Sequence, residues 1–114
     1  MFRVQISGTG LFTPQEKISN QELVDSYNKY VDEYNSSNSI DINNGSVEPL
    51  EKSSAEFIEK ASGVKSRYVQ NKSGILDTSF MRPRLKERSE DQISNLAEMG
   101  VIAAKEAVKN SQID

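Results

Sequence analysis

The chain has 114 residues, a formal net charge of −3, and no cysteine, histidine or tryptophan. That length accommodates one small domain or part of a larger one. The composition excludes disulfides, thiolate metal sites and a cysteine nucleophile within these residues, and it removes the commonest general base.

The hydrophobic share is 35% with tyrosine counted. It stays below that of an ordinary globular domain even when glycine is added. A fragment that borrows packing from other sequence is the reading this favours. Met1-Phe2-Arg3-Val4-Gln5 contains no apolar leader, and the longest apolar stretch, Met99 to Ala104, is interrupted by Gly100. No secretory or membrane-spanning segment is expected, and the reading is cytoplasmic.

Phe2, Val4 and Ile6 alternate with Arg3, Gln5 and Ser7, the period of a β-strand. Gly8-Thr9-Gly10 closes it. A dinucleotide-binding loop would need a small residue at Thr13 and a helix opening directly from the glycines, and both are missing. The glycines instead fit a tight turn and a close approach to a neighbouring backbone.

Three helix starts follow, each with a hydroxyl and a Glu or Gln three residues on: Ser19 with Glu22, Ser53 with Glu56, and Ser89 with Gln92. This is the pattern of a capping box. The first helix is predicted over about Asn20 to Asn35, with Leu23, Tyr27, Val31 and Tyr34 on its apolar side. Residues 36–52 open with a Ser-, Asn- and Gly-rich run and read as an exposed, mobile loop insertion. The second helix is predicted over about Ser54 to Ser62, burying Phe57, Ile58 and Ala61, with Gly63 placed to end it in a left-handed conformation. Val64 to Val69 continues as extended chain.

Residues 70–88 read as a second loop insertion. The third helix is predicted from Glu90 to about Lys109, with Ile93, Leu96, Ala97, Gly100, Val101, Ala104, Ala107 and Val108 forming a face of small and medium residues. Such a face calls for a closely approaching helix or sheet.

Charge is unevenly distributed. Lys60 to Arg88 carries eight basic residues against Asp77 and Glu87. This is a solvated loop or a surface for an acidic or phosphate-bearing partner. Nucleic acid is not expected, because only Tyr68 and Phe80 could stack among those cations.

Taken together, these segments resemble the opening of β-ketoacyl-acyl-carrier-protein synthase III enzymes. Ile6-Ser7-Gly8-Thr9-Gly10-Leu11-Phe12-Thr13-Pro14 is similar to that family's first strand and turn. Ile18-Ser19-Asn20-Gln21-Glu22-Leu23 is similar to its first helix start, and Phe57 to Val69 looks like its W-I-x-x-R-T-G-I-x-x-R segment. The resemblance spares 36–52 and 71–87.

It implies an α/β thiolase-like layered fold, incomplete here, of which residues 1–114 are an amino-terminal part: an N-terminal strand and three amphipathic helices. It also implies decarboxylative Claisen condensation of an acyl-coenzyme A thioester with malonyl-acyl carrier protein in fatty acid biosynthesis. Such an enzyme is usually a homodimer and needs no metal or other cofactor. The family's reactive Cys, His and Asn would lie outside these residues, so no catalytic residue is assigned and the chain alone is expected to be inactive.

The substrate mouth remains. Phe57 stands where the family has a Trp against adenine, Ala61 replaces its nucleotide-binding Arg, and Ser53 matches a nearby hydroxyl residue. Lys65 and Arg67 complete the candidate entrance, as cations able to replace that Arg. Two other readings compete. One is a binding module that holds an acidic carrier protein through the basic segment 60–88. The other is a structural segment that docks through its last helix.

Overall fold

A computed structural model describes residues 2–113. Its elements in chain order are β1 (Glu16–Ser19), α1 (Asn20–Ser37), α2 (Ser39–Asn43), α3 (Ala55–Ser62), β2 (Ser66–Val69), α4 (Lys72–Leu76) and α5 (Asn95–Ser111). They fall into two compact units. One is Pro14–Leu85, the other residues 2–13 with 86–113.

In the first unit β1 and β2 pair antiparallel, with Ile18 opposite Arg67 and Lys17 opposite Tyr68. Ile18 drops into the core at 1% exposure beside Val24 and Val31 of α1. The strand passes directly into α1 through Ser19. Its hydroxyl accepts from Glu22 N–H while the Glu22 carboxylate accepts from Ser19 N–H, a complete capping box. Asn20, 5% exposed, then ties the helix start to the segment entering β2: its Nδ2 donates to Val64 O at 2.6 Å and its N–H to Lys65 O at 3.1 Å.

Residues 36–52 contain α2 and run back along α1 under firm restraint. Asn35 and Leu50 exchange two hydrogen bonds of 2.9 Å each, and Lys52 pairs with Asp32 at 2.8 Å. The expected loop thus includes a short helix and side-chain contacts to α1. α3 starts one residue later than predicted. Ser54, not Ser53, caps it by accepting from Phe57 N–H at 3.1 Å. Gly63, at φ 71°, ends it as expected, since a side chain there would strain the backbone. Segment 70–88 is also more ordered than a plain loop. Asn71 caps α4, and Ser26 Oγ of α1 donates to Leu76 O at 2.9 Å.

In the second unit the predicted strand at Phe2 to Ser7 forms no ladder, and Phe2, Val4 and Ile6 are 82–100% exposed. Alternation alone makes no strand, and among the described residues no backbone edge runs beside it. The glycines behave as expected. A Cβ on Gly8 would come 2.6 Å from Ser111 N, and one on Gly10 would come 2.5 Å from Ala107 N. Leu11 N–H then donates to Glu106 Oε2 at 2.8 Å, and Asn110 Nδ2 to Thr9 O at 2.9 Å.

α5 begins at Asn95 under the hydroxyl of Ser94, five residues beyond the predicted start, while Ser89 and Gln92 make only a turn. Its packed side is Met99, Ala103, Ala107 and Ser111. Of the predicted face only Ala107 belongs to it, and Leu96, Val101 and Val108 are exposed. The reason is the glycine segment, which meets the backbone at Ala103 and Ala107, where small side chains leave room.

Candidate substrate cleft

α1, α3, α4 and the segments before α3 and after α4 enclose a cleft of about 790 Å³. That is within the range of small-molecule sites. Its apolar walls are Leu23, Val24 and Tyr27 of α1, Phe57 and Ile58 of α3, Ile75 of α4, and Met81. Glu51, Lys52, Ser53 and Ser54 supply the polar edge, with Ser26. Lys52 pairs with Asp32 at 2.8 Å, with both side chains more than half exposed.

The polar edge is placed by side chains of α1. Asn28 Nδ2 donates to Ser53 O at 3.0 Å and Asn28 Oδ1 accepts from Ser53 N–H at 2.9 Å. Tyr27 Oη donates to Glu51 O at 3.2 Å. Asn28 and Asn35 lie seven residues apart, on one helix face, and hold segment 50–53 as a neighbouring strand would.

Two of the four predicted entrance residues line the cleft. Ser53 is half-buried with its backbone fully engaged, and Phe57 keeps its ring 65% exposed, so it is not a core anchor. Lys65 and Arg67 are not among the lining residues. The left-handed turn at Gly63 sends the chain from α3 into β2, where Arg67 registers with Ile18 and Lys65 reaches Glu59 at 3.4 Å.

Ion pairing also consumes much of the basic segment. Lys72 meets Glu22 at 2.5 Å, Arg84 meets Asp77, and Arg88 meets Glu98 at 2.5 Å. The Lys72 ammonium, together with the Ser19 N–H and hydroxyl, lowers Glu22 to about 2. The Ser79 hydroxyl and N–H, aided by Arg84, lower Asp77 to about 2.

Sequence reasoning missed Tyr27 as a cleft residue, and also Ile75 and Met81. Ile75 is announced only by Asn71 as a cap for a very short helix. Met81 has no local signal, being a non-glycine residue at φ 53°. The described residues include no group of three or more acidic, His or Cys side chains placed to hold a metal, and no helix long and apolar enough to cross a membrane.

No family model matches the chain. Over 88 residues, 77% of its length, it is 50% identical to β-ketodecanoyl-[acyl-carrier-protein] synthase of Pseudomonas aeruginosa. The chain spans about a quarter of that enzyme's length. Half-identity over so long a stretch places this chain among the relatives of the β-ketoacyl-acyl-carrier-protein synthase III-like condensing enzymes, as the counterpart of one part of such a protein.

Proposed function

We propose that these residues form the acyl-thioester entrance of a condensing enzyme that makes a medium-chain β-ketoacyl-acyl carrier protein in fatty acid biosynthesis. The observation that carries this reading is the 50% identity to the Pseudomonas synthase, whose name specifies a ten-carbon β-ketoacyl product. A two-carbon decarboxylative extension reaches that length from an eight-carbon acyl donor. The cleft fits the neutral arm of such a donor, since its walls are apolar and Ser53 and Ser54 offer hydroxyls to amide or carbonyl groups.

The condensation itself requires a thiolate nucleophile and donors for the developing enolate. With no Cys or His among its 114 residues, this chain contributes binding and positioning. The nucleophile must come from other residues of the functional enzyme, with acyl carrier protein as the partner delivering malonyl units.

The test is a titration of the chain with octanoyl-pantetheine, followed by amide NMR. Shifts are expected at Leu23, Tyr27, Phe57 and Ile58, with no carbon dioxide released from added malonyl-carrier protein. Shifts confined to residues 2–13 and 86–113 would overturn the assignment.

A second reading gains support from Phe80, whose ring lies 4.5 Å from the Arg82 guanidinium and 4.8 Å from that of Arg84. Arg84 is already paired with Asp77, so the stacked Arg82 guanidinium is the one offered to carboxylates or phosphate. On this reading the segment docks acidic carrier protein. Binding that persists at low salt and disappears at high salt is expected, and no binding at low salt removes it.

A further inference from the structure

Ala61 leaves α3 without a cation at the entrance, and the two residues expected to replace it stand elsewhere. Lys65 is paired with Glu59, and Arg67 lies in β2 opposite Ile18. Among the residues that line the cleft, one carries a positive charge, Lys52. It comes from segment 36–52, which the family resemblance does not cover.

The backbone on either side of Lys52 is pinned to α1. The Asn35 side chain holds Leu50 N–H and O at 2.9 Å each, and the Tyr27 hydroxyl donates to Glu51 O at 3.2 Å. The Asn28 side chain holds Ser53 N–H and O at 2.9 and 3.0 Å. Asn28, Asp32 and Asn35 follow one another at helical spacing. The stripe of α1 that fixes this backbone therefore also meets the Lys52 ammonium, 2.8 Å from Asp32 Oδ2.

The main chain at Lys52 is fixed, while its side chain is 56% exposed and that of Asp32 62%. An ion pair so open to water contributes little, so a more highly charged anion readily takes the ammonium from Asp32. The other charged lining residue, Glu51, is a carboxylate. With Asp32 and Glu51 beside one ammonium, this edge does not concentrate free anions. A phosphate meets Lys52 when the group that carries it is seated in the cleft.

We infer that Lys52 is the residue that distinguishes phosphorylated from unphosphorylated pantetheine thioesters, its ammonium leaving Asp32 for a phosphate on the pantetheine arm. The inference rests on the reading of the cleft as a thioester entrance and concerns the charged end of that ligand. The apolar walls and the hydroxyls of Ser53 and Ser54 take the neutral arm, and Lys52 stands next to them on the exposed edge. Lysine suits the role, because a compact ammonium on a flexible stem turns from one acceptor to another without a bidentate geometry to satisfy. Coenzyme A and the phosphopantetheine group of acyl carrier protein both supply such a phosphate.

The experiment is calorimetric titration of the 114-residue chain and of Lys52→Met, Asp32→Asn and Glu33→Gln at low salt, with circular dichroism as the check on folding. The probes are octanoyl-pantetheine, octanoyl-phosphopantetheine and octanoyl-coenzyme A. The parent chain is expected to bind a phosphorylated probe roughly two- to fivefold more tightly than octanoyl-pantetheine. Lys52→Met should lose that margin and bind octanoyl-pantetheine as the parent does. Asp32→Asn should widen the margin. Glu33→Gln removes the same charge from the neighbouring residue, which pairs with Lys29, and should leave the margin nearly unchanged. A margin shared by both phosphorylated probes assigns Lys52 to the phosphate next to pantetheine, and one confined to coenzyme A assigns it to the nucleotide end. Equal changes in Asp32→Asn and Glu33→Gln overturn the exchange with Asp32. Equal affinity of the parent chain for all three probes, or a margin that survives in Lys52→Met, overturns the role of Lys52 and leaves the cleft assignment standing. A folded parent chain that binds none of the three overturns the cleft assignment and this inference with it.

Discussion

Asn28 and Ser53 exchange two hydrogen bonds, side-chain amide to backbone amide, at 3.0 and 2.9 Å. A single residue of α1 therefore satisfies both backbone groups of a residue in the segment that borders the cleft. Removing both bonds by Asn28→Ala leaves a half-buried donor and acceptor without partners, which costs about 1–3 kcal/mol. Asn28→Asp keeps the acceptor for Ser53 N–H and places a carboxylate against Ser53 O, so it should be no milder than alanine. Urea denaturation of both variants checks this. An aspartate variant as stable as the parent would show that the Asn28 donor contributes nothing.

The two lowered carboxylates predict acid sensitivity. Glu22 and Asp77 titrate at about 2 in the folded chain, below their ordinary values of 4.5 and 3.8. The unfolded chain therefore takes up protons first as pH falls. Their stabilisation is complete above about pH 4.5 and is lost progressively towards about pH 2. Both groups are solvent-accessible, so screening by salt should shrink the effect. Urea midpoints between pH 6 and pH 2 should fall less steeply in Glu22→Gln, which can still complete the cap but cannot pair with Lys72. Identical slopes in parent and variant would contradict the Lys72 pairing as the cause.

Glycines 10 and 100 should respond in opposite directions to alanine. A Cβ at Gly10 meets the α5 backbone at Ala103 and Ala107, whereas at Gly100 nothing lies within 4 Å. Gly10→Ala is expected to detach the extended segment and abolish hydrogen-exchange protection of the Leu11 amide, now bonded to Glu106. Gly100→Ala should stabilise α5 by about 0.5–1 kcal/mol through helix propensity. Retained protection at Leu11 in Gly10→Ala would contradict the close approach.

Ser94 supplies a fourth case. Its hydroxyl caps α5 at 3.1 Å from Ala97 N–H. Ser94→Ala should cost about 0.5–2 kcal/mol of helix stability. Ser89→Ala should cost less, because Ser89 precedes the helix by several residues. Helicity by circular dichroism separates the two, and an equal loss would return the cap to the earlier serine.

These cases show what the sequence made readable. Ser19 with Glu22 and Gly63 at the end of α3 are local devices, complete within a few residues, and both stand as expected. The caps of α3 and α5 are not the serines that have a Glu or Gln three residues on. Ser54 and Ser94 do the work with a hydroxyl alone, followed by Phe57 and Ala97. β1 could not be read from Glu-Lys-Ile-Ser, whose single apolar residue shows no alternation. It exists because β2 lies opposite, a pairing set some fifty residues away.

Phe2 to Ile6 fails for the converse reason: the alternation is present, but among the described residues a partner strand is not. The cleft was half legible. Ser53 and Phe57 carried the family resemblance, while Met81 depends on a turn built from Asp77, Asn71 and Gly74 whose hydrogen bonds no residue pattern announces.

Ile18, Val24 and Val31 are the buried hydrophobic side chains among the described residues. The heat-capacity step of unfolding follows the apolar area withdrawn from water, so calorimetry on these residues alone should give a shallow, broad endotherm with a small step. Any polypeptide surface that comes to cover Phe2, Val4, Leu96 and Val108 would sharpen that transition, and the gain in the step would measure the area it covers.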